Sequence, residues 1–277
     1  MKGFATIIWL LSSMNLMAET ISSRVHSYDQ DYGFIRLETG RVVFMKKSEK
    51  SFSKTMEWLS GSNVKLEVDD NNNLVNLSME ESQGEANGGA KSLLQDPPPF
   101  NPTVLSGFGA VQAIFERLNS NFKRLSECTD RAHVWAYDEF KTNNIATEKV
   151  FAFFTASYID RNRFKWWFHV APLVSANIDG TVQKFVLDYR FKDRPASIKE
   201  WTDMMVFSHR ECKMTTKFSE YDVNPQTEDC YMMIDSMYNR LPADLRAQEN
   251  VPPLYRNRWY EQEVNASRSM AFEKKEN

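Results

Sequence analysis

Cysteine and histidine are scarce in this chain, three and four among 277 residues. So few thiols exclude a small disulfide-framed scaffold, and any thiol or imidazole chemistry has few positions to use. There is no Gly-rich phosphate loop, no internal repeat and no basic tract with interleaved aromatics. Net charge is −3, so bulk charge points to neither nucleic acid nor an anionic membrane surface as a partner. Long apolar runs are missing too. The first, centred on Ile7–Leu11, is short for the ~30 Å of hydrocarbon a helix must span, and no later run approaches that length. What the chain does hold is a hydrophobic fraction of 42%, ample for one large or two modest packed domains.

Residues 1–18 have the form of an export signal: Lys2 supplies the positive end, the apolar run follows, and Ala18 is the last residue before the expected cleavage. The rival reading, a membrane anchor, suffers from the short run. The protein is therefore expected to be secreted or periplasmic. Residues 19–80 read as a small module in which Tyr32–Leu37, Arg41–Met45, Val64–Val68 and Leu74–Met79 are strands, with a helix over Glu49–Leu59. The pattern is β-β-α-β-β and carries no evident chemistry. Residues 81–102 are rich in Gly, Ser and Asn and contain Pro97-Pro98-Pro99, the composition of an accessible linker and a place for a protease to cut. Residues 103–277 form the second domain. Val104–Leu125 reads as an amphipathic helix, and a second helix is expected from Cys128 with Ser126 as its N-cap. Val150–Tyr158, Lys165–Ser175 and Thr181–Arg190 read as strands, the last two joined by an Asp179-Gly180 hairpin turn. Ser197–Cys212 and the tail from Val264 read as helical. The class is α+β.

Export changes the meaning of the cysteines. Cys212 and Cys230 are close enough to close a short loop in an oxidising compartment, a bridge contributing about 3 kcal/mol by loop entropy. Cys128 is then left over. It is either an inert buried thiol or a nucleophile, and its place at a helix start favours the thiolate. An imidazole partner is needed. His133 lies about 140° round the same helix at 3.6 residues per turn and should face away; His209 falls on a surface helix. His169 sits in Trp166-Trp167-Phe168-His169-Val170-Ala171, a buried strand where a histidine is costly unless hydrogen-bonded. Asp188 ends Phe185-Val186-Leu187-Asp188 on the paired strand, within reach of His169. As alternatives, the histidine is a satisfied core residue and the aspartate a strand-end cap.

A Cys on a helix start, a His on a strand and an Asp on the next strand is the order of papain-like and transglutaminase-like folds. The segments Cys128-Thr129-Asp130-Arg131-Ala132-His133, Phe168-His169-Val170-Ala171-Pro172-Leu173-Val174 and Val186-Leu187-Asp188 resemble the three motifs of the bacterial protein-glutaminases, secreted protein-glutamine deamidases. The chain departs from that family at Tyr189, where proline is usual, in its single candidate disulfide pair, and across Phe151–Phe164. The resemblance implies a transglutaminase-like core, with a helix-borne Cys128 and an antiparallel sheet bearing His169 and Asp188 as a catalytic triad. It further implies that residues 19–80 are a pro-domain acting as an intramolecular inhibitor. Substrates would be proteins or peptides with exposed glutamine, with no metal or organic cofactor, no nucleic acid and no membrane as partners, and a monomer is expected. Arg131 and His133 are expected to support packing. A transglutaminase, a papain-like protease and a catalytically silent binding module use the same fold and stay open as alternatives.

Overall fold

The computed structural model describes residues 18–29, 31–45, 60–79, 100–249 and 257–273. The expected export signal, apart from Ala18, the expected Glu49–Leu59 helix and residues 80–99 of the expected linker lie outside the described residues. Among the described residues no helix is long and apolar enough to cross a membrane.

The architecture is α+β, with two sheets. The first has the order β3-β2-β1-β4-β5, from β1 (Glu19–Asp29), β2 (Phe34–Leu37), β3 (Val42–Phe44), β4 (Asn63–Val68) and β5 (Leu74–Met79). Alternation of buried Val64, Leu66 and Val68 with more exposed neighbours sets the inward face of β4. The expected strands β2 to β5 are present. The central one, β1, was not expected: its first half pairs with β4 and its second with β2, the register shifting between Val25 and Ser27. Phe44 bridges Asn73, which brings the two edges of the sheet towards each other.

The second sheet has the order β10-β9-β8-β7-β12-β11, with β6 also on β8. Its strands are β6 (Val104–Leu105), β7 (Glu148–Phe154), β8 (Phe168–Ile178), β9 (Thr181–Val186), β10 (Ala196–Ser197), β11 (Lys213–Thr215) and β12 (Cys230–Ser236). The expectation of an antiparallel sheet needs a correction, because β6 on β8 and β11 on β12 are parallel. The β8–β9 hairpin turns at Asp179 (φ 51°) and Gly180 (φ 84°), the paired positive φ angles its tight twist requires. The helices are α1 (Phe108–Arg117), α2 (Cys128–Asn143), α3 (Ala156–Asn162), α4 (Ile198–Asp203), α5 (Pro242–Gln248) and α6 (Asn257–Ala271). Three expected elements are corrected here. The Val104–Leu125 helix is only α1, because Val104 and Leu105 pair with Ser175 and Ala176 and Leu118 leaves the helix at ψ 140°. The Val150–Tyr158 strand stops at Phe154, where Thr155 accepts the Tyr158 N–H and caps α3. The Ser197–Cys212 helix shrinks to α4, started by a Ser197–Glu200 capping box.

β8 is buried from Phe168 to Ala176, and its run reads as continuous rather than alternating because both faces are covered. The two sheets share one core: Phe34, Val42 and Phe44 of the first pack in the same cluster as Phe153, Trp167 and Phe168 of the second. Polar contacts cross the same boundary. Val42 N–H donates to Lys165 O and Trp167 N–H to Gly40 O, both at 2.7 Å. The Trp167 indole donates to Leu37 O at 2.8 Å and its ring stacks on His26 at 4.3 Å. Gly40 (φ 94°) is required here, since a Cβ would lie 2.9 Å from the Phe168 ring.

Cys212 and Cys230 are bonded, closing a separation of 18 residues. The bridge ties the segment entering β11 to the start of β12. The double variant Cys212→Ser/Cys230→Ser is expected to lose about 3 kcal/mol, lowering Tm by roughly 6–12 °C. Calorimetry under non-reducing conditions measures this; an unchanged Tm would assign the bridge no structural weight.

Candidate active site

Cys128 is the first residue of α2, and Glu127 before it is extended (φ −76°, ψ 149°). N–H groups in the helix's first turn have no acceptor inside the helix, and with the helix dipole they favour negative charge beside the thiol. Ser126 is not the N-cap: Glu127 holds that position. The Ser126 hydroxyl instead donates to Lys123 O at 2.7 Å and accepts from Arg131 at 2.9 Å. The Arg131 guanidinium also donates to the Ser126 carbonyl and lies 5.2 Å from the Phe122 ring centre. Arg131 therefore braces the turn in front of Cys128.

His169 lies in β8 opposite Ala152 of β7. Asp188 follows the end of β9, held beside β8 by the Leu187 N–H bond to Pro172 O at 3.0 Å. The Phe191 and Lys192 N–H groups then fold back onto Asp188 O at 3.2 and 3.1 Å. This places Asp188 Oδ2 2.7 Å from His169 Nε2. Asp188 also accepts from the Trp201 indole N–H at 3.0 Å and from the Arg190 N–H at 3.0 Å. Tyr189 pins the same turn to α1: its hydroxyl donates to Phe115 O at 3.0 Å and its ring lies 4.1 Å from that of Phe115.

Cys128, His169 and Asp188 are 5%, 4% and 3% exposed. Cys128 and His169 line one cleft, and Cys128 acts electrostatically on the imidazole. Asp188 occupies His169 Nε2, which leaves Nδ1 for the sulfur. Burial opposes the charged imidazole, but Cys128 and the Asp188 carboxylate outweigh it and raise the His169 pKa to about 9. Burial likewise opposes the Asp188 charge, yet His169, Arg131 and the Trp201 N–H hold its pKa below the ordinary carboxylate range. The site is thus arranged to favour the charged imidazolium of His169 beside Asp188.

His133 faces away from the cleft. It is fully buried, with Nδ1 2.8 Å from Lys149 Nζ. Burial, then Lys149 and Arg240, hold it neutral, so its Nδ1 accepts a hydrogen bond from the lysine ammonium. His209 is exposed, with its Nδ1 3.9 Å from an Asp203 carboxylate oxygen. Neither joins Cys128.

Sequence reasoning missed Trp201. Beyond its bond to Asp188, its ring stands 5.6 Å from that of His169, and the Phe191 ring stands edge-on to the imidazole at 4.9 Å. Only the Ser197–Glu200 capping pattern, which starts the short helix carrying Trp201, was visible in the sequence. Also missed was the makeup of the cleft. Its volume is about 530 Å³, and alongside Glu127, Trp166 and Phe191 of the second domain it is lined by Glu19, Arg41, Asp70 and Asn72 of the first. Arg41 donates to both Glu19 carboxylate oxygens, at 2.6 and 3.1 Å. Burial there pushes the Glu127 carboxyl up to about 7 despite Arg41 and Arg131. Among the described residues no three His, Cys, Asp or Glu side chains converge on a metal position.

No curated protein matches the chain in sequence. Among solved structures, a pro-protein-glutaminase is 13% identical with a TM-score of 0.49, over 81% of this chain and 84% of that one. A protein-glutaminase from Chryseobacterium proteolyticum is 15% identical with a TM-score of 0.38, over 60% of this chain and 86% of that one. A family described as glutaminase matches residues 106–205, the stretch that contains Cys128, His169 and Asp188.

Proposed function

We propose that the chain is a secreted protein-glutamine deamidase, made as a precursor, in which Cys128, His169 and Asp188 are the catalytic triad of a transglutaminase-like core. The observation that carries this reading is Cys128 at the head of α2 in one cleft with His169, which is bonded to Asp188, all inside the segment of the family match. Cys128 attacks the carbon of the glutamine carboxamide, and first-turn N–H groups of α2 hold the oxyanion. His169 gives its proton to the departing nitrogen, so ammonia leaves and a γ-glutamyl thioester remains. Water then attacks the thioester as His169 takes its proton; glutamate is released and the thiolate restored. Asp188 orients the imidazole and stabilises its charged form. The test is ammonia release from a glutamine-containing protein whose chain stays intact and monomeric. Cross-linking without net glutamine-to-glutamate conversion would mark a transglutaminase, and chain cleavage a protease.

Residues 19–80 are read as an inhibitory pro-domain. This is supported by the position of Glu19, Arg41 and Asp70 in the wall of the Cys128 cleft and by the core shared with the second sheet.

The orienting role gives a graded expectation. Asp188→Asn should lower kcat less than His169→Ala, since orientation is less essential than proton transfer. Without the carboxylate that holds the imidazolium, the alkaline limb of the Asp188→Asn profile should move down from near 9. Trp201→Phe keeps the ring and removes one donor to Asp188, so kcat should fall about tenfold with KM little changed. Steady-state kinetics across pH measures all three. An Asp188→Asn enzyme with unchanged rate and profile would remove Asp188 from the triad.

A further inference from the structure

The second domain's side of the cleft has a marked charge bias. Arg124, Lys165 and Arg190 are exposed there, Arg131 lies behind them, and Glu127 is the sole acid among the lining residues on that side. The first domain meets this wall with Glu19, Asp69 and Asp70 against one cation, Arg41. The match extends to individual contacts. Lys165 Nζ donates to Asp70 O at 3.1 Å. Glu19 is held ionised first by its bond to Arg41 and then by the fields of Arg41, Arg124 and Lys165. The cations therefore surround the place where a substrate chain must lie to bring a glutamine to Cys128, and Glu19 of the docked domain stands in the field of Arg124 and Lys165.

Resting on the deamidase reading, we propose that Arg124, Lys165 and Arg190 are specificity residues that select glutamines flanked by aspartate or glutamate in the substrate. The three sit on separate segments: Arg124 before α2, Lys165 before β8 and Arg190 after Asp188. They thus frame the cleft from several sides and favour an acidic chain on either flank of the reacting side chain. Their long stems leave the charges in water, so the selection is an attraction at encounter and rim, sensitive to salt.

The experiment uses the full protein cut within residues 80–99, with two peptides identical except for aspartate or lysine on both sides of one glutamine. At low salt, kcat/KM for the aspartate peptide should exceed that for the lysine peptide by ten- to a hundredfold. The ratio should shrink several-fold at 0.5 M NaCl, where screening is shorter-ranged than at 0.1 M. In the triple variant Arg124→Glu/Lys165→Glu/Arg190→Glu the preference should reverse. Ammonia from both peptides at equal kcat/KM, or an unchanged ratio in the triple variant, overturns the proposal. If neither peptide releases ammonia, the deamidase reading has failed rather than this one. Binding of the same peptides to the cut Cys128→Ala protein, read by fluorescence anisotropy, then decides: tighter binding of the aspartate peptide supports the rim, equal binding refutes it.

Discussion

Replacing Cys128 with alanine is expected to reduce ammonia release roughly ten-thousandfold or more, the scale on which loss of a nucleophile leaves only binding and oxyanion stabilisation. The fold should survive. Cys128 is small, sits at the first position of α2 and keeps its backbone role as alanine, and alanine is the best helix former. Circular dichroism and the melting transition separate loss of chemistry from loss of structure, and a folded Cys128→Ala protein with native activity would end the assignment. A second readout follows from His169. Its folded pKa of about 9 lies above the ordinary histidine value near 6.5. A raised value means that this group's stabilisation is fully present below about 6.5 and is lost as pH rises through about 9. Cys128→Ala removes one of the two groups that raise the His169 value, so this alkaline loss should become smaller in the variant. Tm measured from pH 6 to pH 10 for both proteins tests the ion pair without any turnover.

The parts of the site that were legible in the sequence are those fixed by short-range chemistry. The helix start at Cys128 was legible although its cap was misplaced by one residue, on Ser126 rather than Glu127, and the Asp179-Gly180 turn was legible because tight hairpins demand positive φ. That hairpin, once placed, sets β8 beside β9, and His169 and Asp188 follow from the pairing. What was not legible depends on distant segments. β1 exposes mostly polar residues and buries only Ile21 and Val25 well, so it gives almost no alternating signal. It is held instead by β2 and β4, whose hydrogen bonds it completes. Trp201 meets Asp188 across a fold, and nothing local marks it. Tyr189 looked out of place after the aspartate, yet it holds the turn by reaching Phe115 on α1. That Glu19, Arg41 and Asp70 line the Cys128 cleft is likewise a matter of two surfaces, which no pattern within either segment encodes.

Cutting the chain within residues 80–99 is expected to raise activity on a small glutamine peptide at least tenfold, and up to about a thousandfold at micromolar protein. The range follows from effective concentration: a tethered domain faces its partner at millimolar levels, and the cut returns it to its bulk concentration. While tethered, the first domain holds its place through Val42 to Lys165, Gly40 to Trp167 and Asp70 to Lys165, with Glu19 and Arg41 in the wall of the cleft. The docked face also carries a feature that limits its affinity once free. Arg36 is 2% exposed, and its guanidinium meets the Tyr221 hydroxyl at 3.3 Å and the Phe34 ring at 5.4 Å rather than a carboxylate. A buried cation with neutral partners weakens an interface relative to a well-packed apolar one. Arg36→Met should therefore keep the domain bound after the cut and hold peptide activity near the uncut level. A substrate-docking role for the first domain forecasts the opposite pattern: the cut would leave peptide turnover unchanged and slow turnover of protein substrates. The comparison is the uncut 19–277 protein against the same protein cut in the linker, on one peptide and one protein substrate. Equal peptide rates before and after the cut would rule out autoinhibition, whatever the protein substrate does.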